Sequence, residues 1–95
     1  MIMSVQILIP TPLRQFTNNL ESVAVEGSSV GEAMRNLCLK YSPLQKHLYS
    51  DDGKLRNFVN VYVNDDDIRY LQKESTPISE KDILSIIPSI AGGGV

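Results

Sequence analysis

Between Val30 and Tyr41 the apolar residues Val30, Ala33, Met34, Leu37, Cys38 and Tyr41 recur at i, i+3, i+4, i+7, i+8 and i+11. That spacing predicts a helix with one buried stripe, and Glu32, Arg35, Asn36 and Lys40 fall mostly outside the stripe. Ser29 and Glu32 stand at capping-box spacing, so each side chain is expected to satisfy a backbone N–H at the helix start. Gly31 weakens the helix by about 1 kcal/mol relative to alanine, and Ser42-Pro43 closes it. The segments around this helix carry strand patterning instead. A single helix laid across a sheet covers one face and leaves the other partly wet, which restricts the chain to a small two-layer architecture.

Val5, Ile7 and Ile9 alternate with Ser4, Gln6 and Leu8, predicting a first strand with one buried face. Pro10-Thr11-Pro12 stops it by removing two backbone donors, and Leu13 to Asn19 form a polar connection. A second strand, Ser22 to Val25 with Val23 and Val25 inward, is expected to pair with the first as an antiparallel hairpin. After the helix, Leu44 to Tyr49 read as one short turn and Asp51-Asp52-Gly53 as a reversal. Asn57 to Val63 returns to strand alternation; Phe58 and Tyr62 share the face opposite Val59, Val61 and Val63, so one of these sets points outward. Asn64 to Asp67 then reverses the chain into a weak strand near Ile68 to Leu71. Glu74 to Lys81 is a polar connection, and Ile83 to Ile87 is the last strand. The order is that of an α+β domain with a mixed sheet of four to five strands on one main helix.

Several function classes are disfavoured. Ninety-five residues, 42% hydrophobic and 21% charged, suit one ordinary globular domain with a modest core. The net charge is −2 and the cations are scattered, so no basic stripe for nucleic acid exists. Cys38 has no disulfide partner and lies on the helix stripe as a core residue, while His47 lacks companions at metal-ligand spacing. Asp65-Asp66-Asp67 reads as a solvated turn. The sequence shows no triad, phosphate loop or metal cluster, so neither an independent enzyme nor a bound cofactor is expected. The apolar run Ile2 to Leu13 lacks a basic leader and is broken by prolines; no export signal or membrane segment is read, and a cytoplasmic setting fits.

The chain's last segment, Ile86-Ile87-Pro88-Ser89-Ile90-Ala91-Gly92-Gly93-Gly94-Val95, runs from a strand pattern into glycines. It divides the sequence into a domain over 1–90 and a flexible glycine tail over 91–95. Ala91 to Gly94, fully extended, would reach roughly 13–14 Å. Glycine has no Cβ and threads channels too narrow for other residues.

The order of elements together with Ile86 to Gly93 resembles the ubiquitin-like sulfur carriers of the β-grasp fold, the group of the thiamine carrier and the small subunit of molybdopterin synthase. Within it, Lys54-Leu55-Arg56-Asn57-Phe58-Val59-Asn60-Val61-Tyr62-Val63-Asn64-Asp65-Asp66-Asp67-Ile68-Arg69 is most similar to the carrier that supplies sulfide for cysteine synthesis. The similarity runs from Val5 to Gly93 and is weakest from Leu13 to Glu21. It implies a carrier cycle. A ubiquitin-activating-type enzyme uses ATP and magnesium to adenylate the terminal glycine carboxylate, sulfur replaces AMP to give a thiocarboxylate, and a sulfur-accepting synthase receives it. A cysteine synthase-like acceptor is the first expectation, with molybdopterin and thiamine synthesis as the others.

The family's working form ends at diglycine, whereas here Gly94-Val95 follow Gly92-Gly93. If Pro88 keeps its usual separation from the diglycine, Gly93 is the reactive terminus; if only Val95 is removed, it is Gly94. Either case calls for a tail-trimming peptidase. Ile86 and Ile87 point to opposite faces, and by resemblance the position of Ile87 contacts the activating enzyme; Phe58, Tyr62 and Arg14 are further docking candidates. Two other classes share the tail chemistry or the fold: a ubiquitin-like modifier joined to lysines, and a non-catalytic β-grasp interaction module.

Overall fold

The computed structural model describes residues 4–88 of the chain. Five strands and two α-helices occur in the order β1 (Ser4–Leu8), β2 (Ser22–Glu26), α1 (Val30–Lys40), α2 (Leu44–Leu48), β3 (Val59–Val63), β4 (Asp66–Asp67) and β5 (Ile83–Pro88). They form one mixed sheet in the order β2-β1-β5-β3-β4. The hairpin partners β1 and β2 are antiparallel, β5 lies parallel to β1 with Gln6 opposite Ile83, and β5 pairs antiparallel with β3 with Asn60 opposite Ile87. The final strand therefore occupies the middle of the sheet. This is the β-grasp arrangement expected from the resemblance.

Alternation along each strand decides which face is covered. Val5, Ile7, Val23, Val25, Val59, Val61, Leu84 and Ile86 are buried in one cluster with the α1 stripe of Val30, Ala33, Met34, Leu37 and Cys38. Burial on that scale, at roughly 25 cal/mol per Å² of apolar surface, is the main force holding the layers together. Helix α1 begins as predicted at Ser29, whose hydroxyl accepts from the Glu32 N–H at 3.2 Å. The reciprocal half of the box is displaced by one residue. The Glu32 carboxylate accepts from the backbone N–H of Ser28 at 2.6 Å and from its hydroxyl at 3.1 Å, and these bonds hold its pKa below the ordinary value.

Two glycines make close approaches possible. A Cβ on Gly27 would lie 2.8 Å from the Ala33 nitrogen, and one on Gly31 would lie 3.1 Å from the Glu74 carbonyl oxygen. The segment that approaches Gly31 also straps the helix start, with the Val30 N–H bonded to Thr76 and the Ile78 N–H bonded to Ser28, both at 3.0 Å. The helical propensity lost at Gly31 is thus offset by contact with this strap.

The structure corrects the sequence reading at several places. Ile68 to Leu71 is not a strand: β4 is only Asp66–Asp67, and Ile68–Tyr70 is a 3₁₀ turn. Asn64, in the left-handed region at φ 58°, turns the chain early, and the Asp67 carboxylate caps the turn by accepting from the Arg69 N–H at 2.8 Å. Ile68 then drops into the core. The connection after β1 opens with a 3₁₀ helix, Thr11–Phe16, in which proline's fixed φ suits the first turn. Leu44–Leu48 is a helix of five residues rather than a turn, with Leu44 and Leu48 fully buried. Asn57 and Phe58 precede β3 instead of belonging to it.

Candidate functional site

The sheet face opposite the helices carries a group of outward apolar residues. Ile86 is 2% exposed and Ile87 48%, so the neighbouring isoleucines divide between core and solvent as the pleat requires. Phe58 is exposed and Tyr62 is half-buried on the outward side, while Val59, Val61 and Val63 are the inward set. Tyr62 stands opposite Ser85, and Asn60, between Phe58 and Tyr62, stands opposite Ile87. Two of the docking candidates meet near the end of β5, where Arg14 and Ile87 line one shallow depression of about 320 Å³ together with Leu8, Thr11 and Pro88; Tyr62 lies on the adjacent strand β3, and Phe58 immediately precedes that strand, both outside the lining of the depression.

Sequence reasoning missed Leu8 and Ile83, each 43% exposed on this same face. The signal was available. Leu8 sits at an outward position of β1 that is otherwise polar, and Ile83 shares the parity of Ile87.

Arg14 is the one charged residue lining the depression among the described residues, and its position is fixed from two sides. Its Nε–H donates to the Ile9 carbonyl at 3.0 Å, and its own carbonyl accepts from the N–H groups of Thr17 at 3.0 Å and Asn19 at 2.7 Å. Thr17 is fully buried, and its hydroxyl bonds to the carbonyls of Arg14 and Leu20 at 3.3 Å. Asn18 and Asn19, both at positive φ, complete the turn. Phe16 in this segment stacks on His47 of α2 with ring centroids 4.4 Å apart, which gives the histidine a packing role.

The base of β5 is clamped by polar side chains. The Asn64 N–H donates to the Ile83 carbonyl at 2.7 Å, and the Asn64 side-chain oxygen accepts from the Ile83 N–H at 3.1 Å. The Asn64 amide also donates to Asp82 at 3.1 Å, and Asp82 accepts from the Ser79 N–H at 2.8 Å. These bonds, with that from the Ser79 N–H the strongest influence, lower the Asp82 pKa. Register is thereby set at the start of the strand whose other end leads to the glycines.

Burial pushes the Cys38 thiol up to about 11, so it stays protonated and unreactive as a core residue. Burial raises the Tyr49 hydroxyl as well, reinforced by the Glu74 carboxylate to which it donates at 3.2 Å. Among the described residues, no group of three or more His, Cys, Asp or Glu side chains is placed to hold a metal ion. Among the same residues, no helix is long and apolar enough to cross a membrane. The tail glycines Gly92, Gly93 and Gly94, and the boundary placed after residue 90, lie outside the described residues.

Comparison with known proteins gives a consistent set of relatives. The model of the ThiS family matches residues 7–93. The sulfur carrier protein CysO of Mycobacterium tuberculosis is 40% identical over 93 residues, covering 96% of this chain and 100% of its own length. One chain in the crystal structure of the Amycolatopsis orientalis BexX/CysO complex superposes with a TM-score of 0.84 at 35% identity, over 94% of this chain and 99% of that one. Small archaeal modifier protein 3 of Haloferax volcanii is 31% identical over 68 residues, covering 72% of this chain and 73% of its own.

Proposed function

The chain belongs to the ThiS family, and from that premise we propose that it is a sulfur carrier whose glycine terminus is activated as an acyl-adenylate and converted to a thiocarboxylate. The observation that carries the reading is the continuity of β5 with the diglycine. A strand paired on both sides in the middle of the sheet leads, five residues after Pro88, to Gly93. Those five residues span at most roughly 16–18 Å when extended, enough to carry a carboxylate from the domain surface into an enzyme's cleft.

Each part of the chain then has a role. A carboxylate is a poor acyl donor. The activating enzyme supplies ATP and magnesium, and attack of the carboxylate on the α-phosphorus releases pyrophosphate and leaves AMP as a good leaving group on the carbonyl. A sulfur nucleophile displaces AMP, forming the C–S bond as the C–O bond to phosphate breaks. The carrier contributes a side-chain-free lead to the carbonyl and a docking face. Ile87, Phe58 and Tyr62 supply apolar contact on that face, with Arg14 as its charged member, fixed against Ile9.

Gly93 is the reactive residue in this scheme, with Gly94 as the alternative, because Val95 would not pass a channel shaped for glycine. A peptidase removes the residues beyond it. Similarity to a carrier named for its sulfur supports cysteine synthesis as the destination, through a cysteine synthase-like acceptor. The second reading, a modifier joined to lysines, is favoured by the relative named as an archaeal modifier. It shares the activation step and differs in its product.

The test compares the full chain with versions ending at Gly93 and at Gly94 in pyrophosphate release by the activating enzyme. The version ending at Gly93 is expected to be turned over and the full chain not. Equal activity of all three would remove the trimming step, and inactivity of all three would remove adenylation itself.

A further inference from the structure

We propose a second docking surface, separate from the tail face, that takes an acidic protein segment presenting one aliphatic side chain. It is a cleft of about 350 Å³ on the helix side of the sheet, where β3 is covered by the 55–57 loop and the Ile68–Tyr70 and Lys73–Ser75 turns. The floor is apolar, made by Val59, Val61 and Ile68 with Leu55 beside them. The volume lies at the small end of the roughly 300–1,000 Å³ range of ligand pockets, which fits a side chain or two and not a nucleotide.

The rim carries the charge argument. Arg56, Arg69 and Lys73 line the cleft against Asp67 and Glu74, three cations to two carboxylates, on a chain whose net charge is −2. Asp67 and Arg69 are paired with each other, which leaves Arg56 and Lys73 facing the Glu74 carboxylate. Asp67 accepts from the Arg69 N–H and pairs with its guanidinium at 3.4 Å, and Glu74 accepts from the Tyr49 hydroxyl. Arg56 is held over the cleft by donating from Nε to the Lys46 carbonyl at 2.9 Å and from its backbone N–H to the Leu48 carbonyl at 2.9 Å. Lys73 sits at φ 54°, a conformation that costs a lysine free energy, and its exposed ammonium makes no hydrogen bond or ion pair among the described residues. Tyr70, 87% exposed, and Leu71, 41% exposed, stand in the segment between two of these cations. Arginine around an apolar pocket, here Arg56 and Arg69, is a composition enriched at protein-binding hot spots. An acidic segment answers the cations, and an aliphatic side chain answers the floor.

The test is a titration of the isotope-labelled full chain with the capped peptide acetyl-Asp-Glu-Leu-Asp-Glu-amide, followed by amide chemical shifts. It needs neither activation nor sulfur, so its failure leaves the carrier reading untouched. Saturable shifts are expected at Leu55, Arg56, Val59, Ile68 and Lys73, weakening as salt is raised. Lys73→Glu is expected to weaken binding about fivefold, a change on the order of one surface ion pair. Arg69→Ala provides a second variant, and replacing the peptide's leucine by serine tests the floor. Shifts confined to the Ile87 face, no saturable shift, or full binding by both variants would overturn the proposal.

Discussion

Ile87 is the residue on which the docking account turns. Half-exposed beside a buried Ile86, it offers an apolar side chain to solvent with no role in the core. Ile87→Asp is therefore expected to leave the urea midpoint nearly unchanged, within about 0.5 kcal/mol. It should lower the efficiency of activation about tenfold, the effect of ~1.4 kcal/mol at an interface. A variant that unfolds, or one activated normally, would show that the side chain packs internally or touches no partner. Val61, inward on the neighbouring strand and 1% exposed, gives the opposite expectation. Val61→Asp buries a carboxylate without a partner and should cost roughly 3 kcal/mol or more in chemical denaturation. Full stability of that variant would mean the faces of β3 are reversed. Alternation along a strand fixes which residues share a face, so the sequence showed Ile86 and Ile87 as opposed and Val61 as grouped with Val59 and Val63. The choice between the Phe58/Tyr62 set and the Val59/Val61/Val63 set was not legible there, since both are apolar and only the position of α1 decides it.

At the scale of elements, the long periodic segments were legible and the short ones were not. Helix α1 carries five buried positions at helical spacing, which no other arrangement of those residues explains. The turn at Ile68–Tyr70 was unreadable because its start is set by one local side-chain bond, the Arg69 N–H to the Asp67 carboxylate, and by Asn64, which is tied to Ile83 far along the chain, and not by periodicity. The same Asn64 joins Asp82 in the clamp at the base of β5, and this gives a pH prediction. The folded-state pKa of Asp82 is lowered, so its contribution to stability is fully present above the ordinary carboxylate value of about 3.9. It is lost as pH falls from there through the depressed folded value. The urea midpoints of the native chain and Asp82→Asn should differ most near neutral pH and converge as the solution is acidified below about pH 4. A difference that stays constant with pH would mean the carboxylate's charge contributes nothing to the clamp.

For the whole molecule, the element order pointed to the fold class, while the placement of β5 between β1 and β3 came only from the structure. Pairing between Gln6 and Ile83 joins residues almost a full chain length apart, and nothing local in either segment encodes it. That long-range pairing is what the proposed function draws on. It seats the strand leading to the diglycine in the centre of the sheet, anchored on two sides and pinned by Asn64, with an apolar face beside its exit. Under the proposed function the domain is a rigid handle for the glycine end. The most direct test is the intact mass of the protein taken from its own host, before and after incubation with ATP, the activating enzyme and a sulfide source. The account predicts a chain ending at Gly93 that then exchanges one oxygen for sulfur at its terminus. A chain trimmed to Gly93 that remains unmodified under those conditions would contradict it.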